Sequence, residues 1–180
     1  MAWPTENMPL VGVVMGSETD SPVMEAAVEV LHDFRIAHEV AVVSAHRGPD
    51  KMIKYGHEAV DRGLEVIIAG AGGSAALPGM LAATTRIPVL GVSVNVKNKP
   101  LQAGMASQVE MPKGAPLFYM GENESGAANA GYGAVRILAN GDEDLAARYD
   151  AHVGSFDQLI EDMNERVQLR VLDLYSRKTE

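Results

Sequence analysis

The sequence predicts an α/β fold in three layers, a parallel sheet between two layers of helices, carrying a long C-terminal helical arm. Three observations carry this. Five short β-branched runs alternate with segments of helical period. The runs are apolar on both alternating faces, which predicts strands covered from both sides, as in a parallel sheet. Proline stands near the start of three intervening segments, where its fixed φ and missing N–H suit a helix opening.

The five runs are Leu10 to Met15, His38 to Ser44, Glu65 to Ala71, Pro88 to Val94 and Pro116 to Met120. Between the first two, Val23, Ala26, Ala27, Val30, Leu31 and Phe34 fall on one helical stripe. The segment around Met52, Ala59 and Val60 keeps helical spacing less regularly. Pro22 after Ser21, Pro49 after Gly48 and Pro78 after Leu77 each read as a first helical residue. Strand and helix alternating in this way imply right-handed crossovers and a sandwich of the flavodoxin-like kind. From Asp142 to about Tyr175, residues 142–175, the apolar positions Tyr149, Val153, Phe156, Ile160, Met163, Val167, Val171 and Leu174 form one narrow seam. A helix of this length spans roughly 50 Å, further than the body of one such domain. It reads either as two helices broken near Gly154 or as an arm lying on a neighbouring subunit. The arm is the expectation here, and with it a homo-oligomer.

Length and composition narrow the function. A chain of 180 residues suits a single domain, 1–180. With 24 acidic and 15 basic residues the net charge is −9, which argues against a nucleic-acid partner. The hydrophobic share of 47% and charged share of 22% are ordinary for a globular domain, and no stretch is long and apolar enough for a membrane span. Cysteine is absent, which removes disulfides, thiol nucleophiles and thiolate metal sites. The opening MAWPTENMPL lacks the basic and apolar regions of a secretory signal, so a cytoplasmic protein is expected.

In an open parallel sheet, ligands bind beyond the carboxyl ends of the strands. Three turns there are rich in glycine and polar groups. Gly16-Ser17-Glu18-Thr19-Asp20 offers two hydroxyls at a helix N-terminus, suited to a phosphate, with Asp20 able to accept from sugar hydroxyls; plain capping by Asp20 or Ser21 explains it equally. Ser44-Ala45-His46-Arg47-Gly48-Pro49-Asp50 sets a group that moves protons near neutral pH beside a fixed cation. The plainer reading has His46 bonded to backbone and Arg47 paired with Asp50. Gly70-Ala71-Gly72-Gly73-Ser74-Ala75, followed by Ala76-Leu77, lets a ligand approach backbone N–H groups. The last string also fits G-x-G-x-x-A, but it follows the third strand, and Asn95 stands where a dinucleotide site needs an acid. Gly121 and Gly126 have P-loop spacing without the lysine. His32, His38, His57 and His152 lack metal-ligand spacing and suit surface or packing roles; no metal site is expected.

The strings Met15-Gly16-Ser17-x-Thr19-Asp20, Ser44-Ala45-His46-Arg47-x-Pro49-Asp50-Lys51, Ile68-Ala69-Gly70-Ala71-Gly72-Gly73, Leu77-Pro78-Gly79-Met80, Pro88-Val89-Leu90-Gly91-Val92, Met111-Pro112 and Gly126-Ala127-Ala128-Asn129-Ala130 together resemble the N5-carboxyaminoimidazole ribonucleotide mutase family of purine biosynthesis, from about Val11 to Leu145. The resemblance implies a rearrangement without metal, ATP or other cofactor, in which a carboxylate moves from the exocyclic nitrogen of an aminoimidazole ribonucleotide to ring carbon 4 by way of carbon dioxide. It implies His46 as the proton shuttle, with Ser17, Thr19 and Arg47 on the phosphate and Asp20 on the ribose. Gly72, Gly73 and Ser74 would face the migrating carboxylate, and Gly16, Ser44, Ala45, Ala71 and Leu77 would complete the substrate pocket. It also implies an octamer.

The chain departs from that pattern. Ala76 stands where the mutase branch usually has His, and Thr19 where it has Ser. Leu101-Gln102-Ala103-Gly104 replaces the usual Gly-x-Asp-Ser. A branch that carboxylates the aminoimidazole ribonucleotide directly also lacks that His, though it usually pairs the catalytic His with Lys rather than with an arginine such as Arg47. Two alternatives to the mutase therefore stand: a direct carboxylase of this or a related nucleotide, and a catalytically silent ribonucleotide-binding subunit.

Overall fold

The computed structural model describes residues 8–95 and 101–176. Its strands are β1 (Val11–Met15), β2 (His38–Val42), β3 (Val66–Gly72), β4 (Val89–Val94) and β5 (Phe118–Glu122). Its helices are α1 (Ser21–Asp33), α2 (Pro49–Glu58), α3 (Ala76–Ala82), α4 (Leu101–Val109), α5 (Asn123–Leu138) and α6 (Glu143–Ser176). All strands run parallel in one sheet, ordered β2-β1-β3-β4-β5. The winding reverses between β1 and β3, so a crevice opens beyond their carboxyl ends. That order is the flavodoxin-like arrangement the sequence predicts.

Each face of the sheet buries its own core. Val13, Met15, Ile68 and Val92 pack with Met24, Ala27, Leu31, Ala130 and Val135 under α1 and α5. Val14, Ile67, Ala69 and Val89 pack with Met52, Leu77 and Leu81 under α2 and α3. Gly70 brings β3 close to α1, because the Met24 thioether fills the space a Cβ would take. Burial on both faces holds for β1, β3 and β4, but the edge strands depart from it: Val42 is 57% exposed on β2 and Phe118 is 51% exposed on β5. An edge strand has a neighbour on one side only, and the crossover helices do not reach over it.

Pro49 stands where the sequence predicts, and the other two prolines shift by a residue or two. Pro49 opens α2, Pro22 is the second residue of α1, and Pro78 is the third of α3. All three remain in a first turn, where backbone N–H groups have no partner within the helix, so proline is tolerated at each.

Residues 143–176 form one unbroken helix of 34 residues, which overturns the two-helix reading. Gly154 does not break it; a Cβ there would meet nothing within 4 Å. Asp142 Oδ1 caps the helix by accepting the Leu145 N–H at 2.9 Å. At its root His152 stacks on Tyr132 of α5 at 4.8 Å and meets Phe156 edge-on at 5.0 Å, with Phe34 alongside. Along the seam, Val153, Phe156, Ile160, Met163, Val167, Val171 and Leu174 are all exposed. Among the described residues no helix is long and apolar enough to cross a membrane. Of the altered stretch after Val94, residues 96–100 lie outside the described residues, as does the N-terminal MAWPTEN.

Candidate active site

The crevice beyond β1, β2 and β3 is a cleft of about 350 Å³ lined by the three turns singled out from sequence. Gly16, Ser17, Thr19 and Asp20 come from the first turn, Ser44, Ala45, His46 and Arg47 from the second, and Ala71, Gly72, Ala75, Ala76 and Leu77 from the third.

The first turn is held by a reciprocal cap. Ser17 Oγ accepts the Thr19 N–H at 3.4 Å and the Thr19 hydroxyl at 3.0 Å, while the Ser17 N–H donates to Asp20 Oδ2 at 3.0 Å. The short 3₁₀ turn Glu18–Asp20 results, and the side chain of Asp20 gives no cap bond to α1 itself. Asp20 is buried, 7% exposed. Burial pushes its carboxyl above the ordinary 3.8, against the opposing pull of the Ser17 N–H, the Arg47 guanidinium and the Gly16 N–H.

The second turn is tied to the first by Arg47. Its Nη2 donates to the Gly16 carbonyl at 2.8 Å and its Nε to Ser44 Oγ at 3.2 Å, so the guanidinium reaches across the cleft floor instead of pairing with Asp50. Ser44 Oγ also accepts the Arg47 N–H at 3.3 Å. The Nη1 group of this fork is left over for a ligand. His46 lies beside it, exposed, and its ring forms no hydrogen bond among the described residues. The plainer reading of this turn, in which both side chains are satisfied locally, does not describe it.

In the third turn Gly73 adopts φ +70° and turns the chain out of the cleft, so Gly73 and Ser74 fall outside its lining while Gly72 stays within it. Ala75 then takes φ +40°, a left-handed conformation that costs a non-glycine residue about 1 kcal/mol. It returns the chain to the wall as Ala76 and Leu77. Ala75 was not anticipated as a lining residue, because alanine carries no chemistry and nothing in its spacing announces a positive φ. Ala76, noted only as a departure, proves to face the cleft.

The cleft thus holds one imidazole, one guanidinium, three hydroxyls, one buried carboxyl and the backbone of Gly72. Such a set can hold an anion at the Arg47 end and move a proton at the His46 end. Among the described residues no three His, Asp or Glu side chains cluster as metal ligands. His32 and His57 are exposed, His38 contacts the Ile36 carbonyl at 2.8 Å, and His152 belongs to the aromatic root of α6.

The AIR carboxylase family matches residues 10–157, most of the chain. The chain belongs to that family. The N5-carboxyaminoimidazole ribonucleotide mutase of Bacillus subtilis is 47% identical over 142 residues, 79% of this chain and 88% of that one. The phosphoribosylaminoimidazole carboxylase of Candida glabrata is 52% identical over 130 residues, 72% of this chain but 22% of that protein. This member of the AIR carboxylase family therefore spans about a fifth of the length of the Candida protein. Its fold matches the crystal structure of Treponema denticola PurE with a TM-score of 0.73 and 26% identity, covering 86% of this chain and 95% of that one.

Proposed function

We propose that this chain interconverts N5-carboxyaminoimidazole ribonucleotide and 4-carboxy-5-aminoimidazole ribonucleotide in purine biosynthesis. The observation that carries the proposal is an imidazole without a hydrogen-bond partner among the described residues, His46, in one cleft with the Arg47 guanidinium. Its agreement with the relatives named as mutases supports it further.

The chemistry needs only one mobile proton. The bond from exocyclic nitrogen to carboxyl carbon breaks, releasing carbon dioxide and leaving the electron pair on nitrogen, which takes a proton from the His46 imidazolium. Ring carbon 4, the nucleophilic end of the enamine, then attacks carbon dioxide. The imidazole finally removes the proton that carbon 4 carried, so His46 ends as it began. Ser17, Thr19 and Arg47 hold the phosphate and Asp20 the ribose. The carboxylate is assigned to the N–H groups of Gly72, Gly73 and Ser74, of which Gly72 lines the cleft of the single chain. Holding carbon dioxide between the two steps supplies the remaining catalysis, by keeping a small reactant from diffusing away.

Incubating the protein with each isomer, with and without bicarbonate, tests this by ultraviolet absorbance. Interconversion in the absence of bicarbonate is the expected result; no conversion of either isomer overturns it. Ala76 in the cleft wall favours a second reading, a direct carboxylase, for which turnover of the uncarboxylated ribonucleotide must depend on bicarbonate.

We also infer a cytoplasmic homo-octamer in which α6 rests on a neighbouring subunit, supported by the exposed seam from Val153 to Leu174. Light scattering should return about 154 kDa, eight times the 19.2 kDa of one chain. A value near that of one chain overturns it.

A further inference from the structure

Behind the third turn a buried amide joins two elements, α4 and β4. Gln108 of α4 is 1% exposed, and so is Ser93 of β4. Gln108 Nε2 donates to Ser93 Oγ at 2.9 Å and also to the Gly104 carbonyl at 3.4 Å, one turn back along its own helix. Ser93 is registered directly beside Ala71, and Val94 beside Gly72, so the two β4 residues flank the part of β3 that enters the cleft. Gly104 sits over the same turn: a Cβ there would stand 3.3 Å from Ser93 Oγ and 3.6 Å from the Gly73 carbonyl. Gly91 makes room for the amide, since a Cβ at that position would collide with Gln108 Oε1.

This arrangement is a poor device for stability alone. Gln108 Oε1 is buried and has no hydrogen-bond partner among the described residues. An interior amide left half-satisfied loses in desolvation much of what its one good bond provides, and a hydrocarbon of similar volume would pack the site as well. What the amide adds is direction, a tie between α4 and one particular residue of β4.

We propose that Gln108 is a positioning residue: through Ser93 it seats α4 and Gly104 against Gly73, and so fixes the Ala71–Gly72 end of β3 and the turn that follows it, where the reacting carboxylate is held. This rests on the cleft being the active site, and it assigns Gln108 no contact with substrate. The phosphate grip on the first two turns lies on other strands, so it is independent of the tie.

The test compares the native chain with Gln108→Leu and Ser93→Ala by hydrogen–deuterium exchange and by steady-state kinetics. Exchange at the amides of residues 72–76 should quicken about tenfold in both variants, with residues 17–20 unchanged, because only the turn leaning on α4 gains freedom. Turnover should fall about tenfold or more with KM for the nucleotide moved less than about twofold, as loose placement of a reacting group costs rate rather than affinity. A merely structural role would lower the melting temperature while leaving kcat of the folded protein and the exchange contrast between the two turns as they are. Exchange at 72–76 unchanged in both variants overturns the proposal. Should Gln108→Leu fail to fold, Ser93→Ala, which removes a single hydroxyl, decides it. Absence of turnover in the native chain would fail the mutase reading, whereas the exchange measurement judges the tie without any substrate.

Discussion

Replacing Arg47 by alanine separates holding the nucleotide from transforming it. The side chain spends Nη2 on the Gly16 carbonyl at 2.8 Å and Nε on Ser44 Oγ at 3.2 Å, both on an exposed residue. Each such bond contributes about 0.5–1.5 kcal/mol net, and exposure places these at the low end, so folding stability should fall by about 1 kcal/mol. In the proposed complex the remaining N–H groups are those that hold the phosphate. One charge-assisted bond to a phosphate is worth about 1.5–3 kcal/mol, which at about 1.4 kcal/mol per decade is roughly a tenfold to hundredfold rise in KM. The phosphate is unchanged through the reaction, so the bond is present equally in ground and transition states and kcat should stay within about threefold. Arg47→Lys keeps the charge without the planar fork and should fall between the two. Steady-state kinetics of isomer interconversion at low and high salt measures this, and the salt dependence of KM should weaken in Arg47→Ala because the screened attraction is gone. If instead kcat collapses while KM holds, the guanidinium acts on the reacting carboxylate, and the assignment of the two ends of the cleft is reversed.

Two further substitutions probe the other side chains. His46→Asn should lower kcat by about 10²- to 10⁴-fold, the usual worth of a positioned acid–base, yet leave the melting temperature within about 1 °C, because the ring supports nothing in the fold; a kcat within tenfold of native removes His46 from the proton path. Burial raises the Asp20 carboxyl above 3.8, so the folded state binds this proton more tightly than the unfolded one. The resulting stabilisation is complete below pH 3.8 and is lost as pH rises through the higher folded value. Asp20→Asn keeps the acceptor for the Ser17 N–H and should flatten that part of the stability–pH profile without loss at neutral pH, while Asp20→Ala should cost about 1 kcal/mol for the missing cap. Equal chemical-denaturation profiles for the native chain and Asp20→Asn between pH 3 and 7 would contradict the burial argument.

The three turns of the cleft could be read from the chain because glycine and polar residues interrupt β-branched runs at the end of each strand, where a parallel sheet exposes its binding edge. Position within the sheet was not readable. Val40 and Val42 have the same chemistry as Val13 and Val14, and only the strand order leaves the first pair at an edge. Gly73 and Ser74 looked equivalent to Gly72; the φ of +70° at Gly73 separates them, and glycine admits either sign. Alanine at 75 and 76 offered no chemical signal. Ser93 and Gln108 resemble ordinary surface polar residues in sequence, since burial of such groups depends on which helix lies over which strand. The seam of α6 was visible in its spacing, and the unbroken arm was the expectation: one glycine costs a helix about 1 kcal/mol, too little to interrupt 34 residues.

The rings at the root of α6 have leverage over the far end of the molecule. From Phe156 to Ser176 the helix extends about 30 Å, so a tilt of ten degrees at the His152–Tyr132 stack sweeps its tip through about 5 Å, close to one helical pitch. Whatever surface receives the tip meets a different set of side chains after such a swing. A conservative change at Tyr132 or Phe34 can therefore move the far end of the helix without touching it.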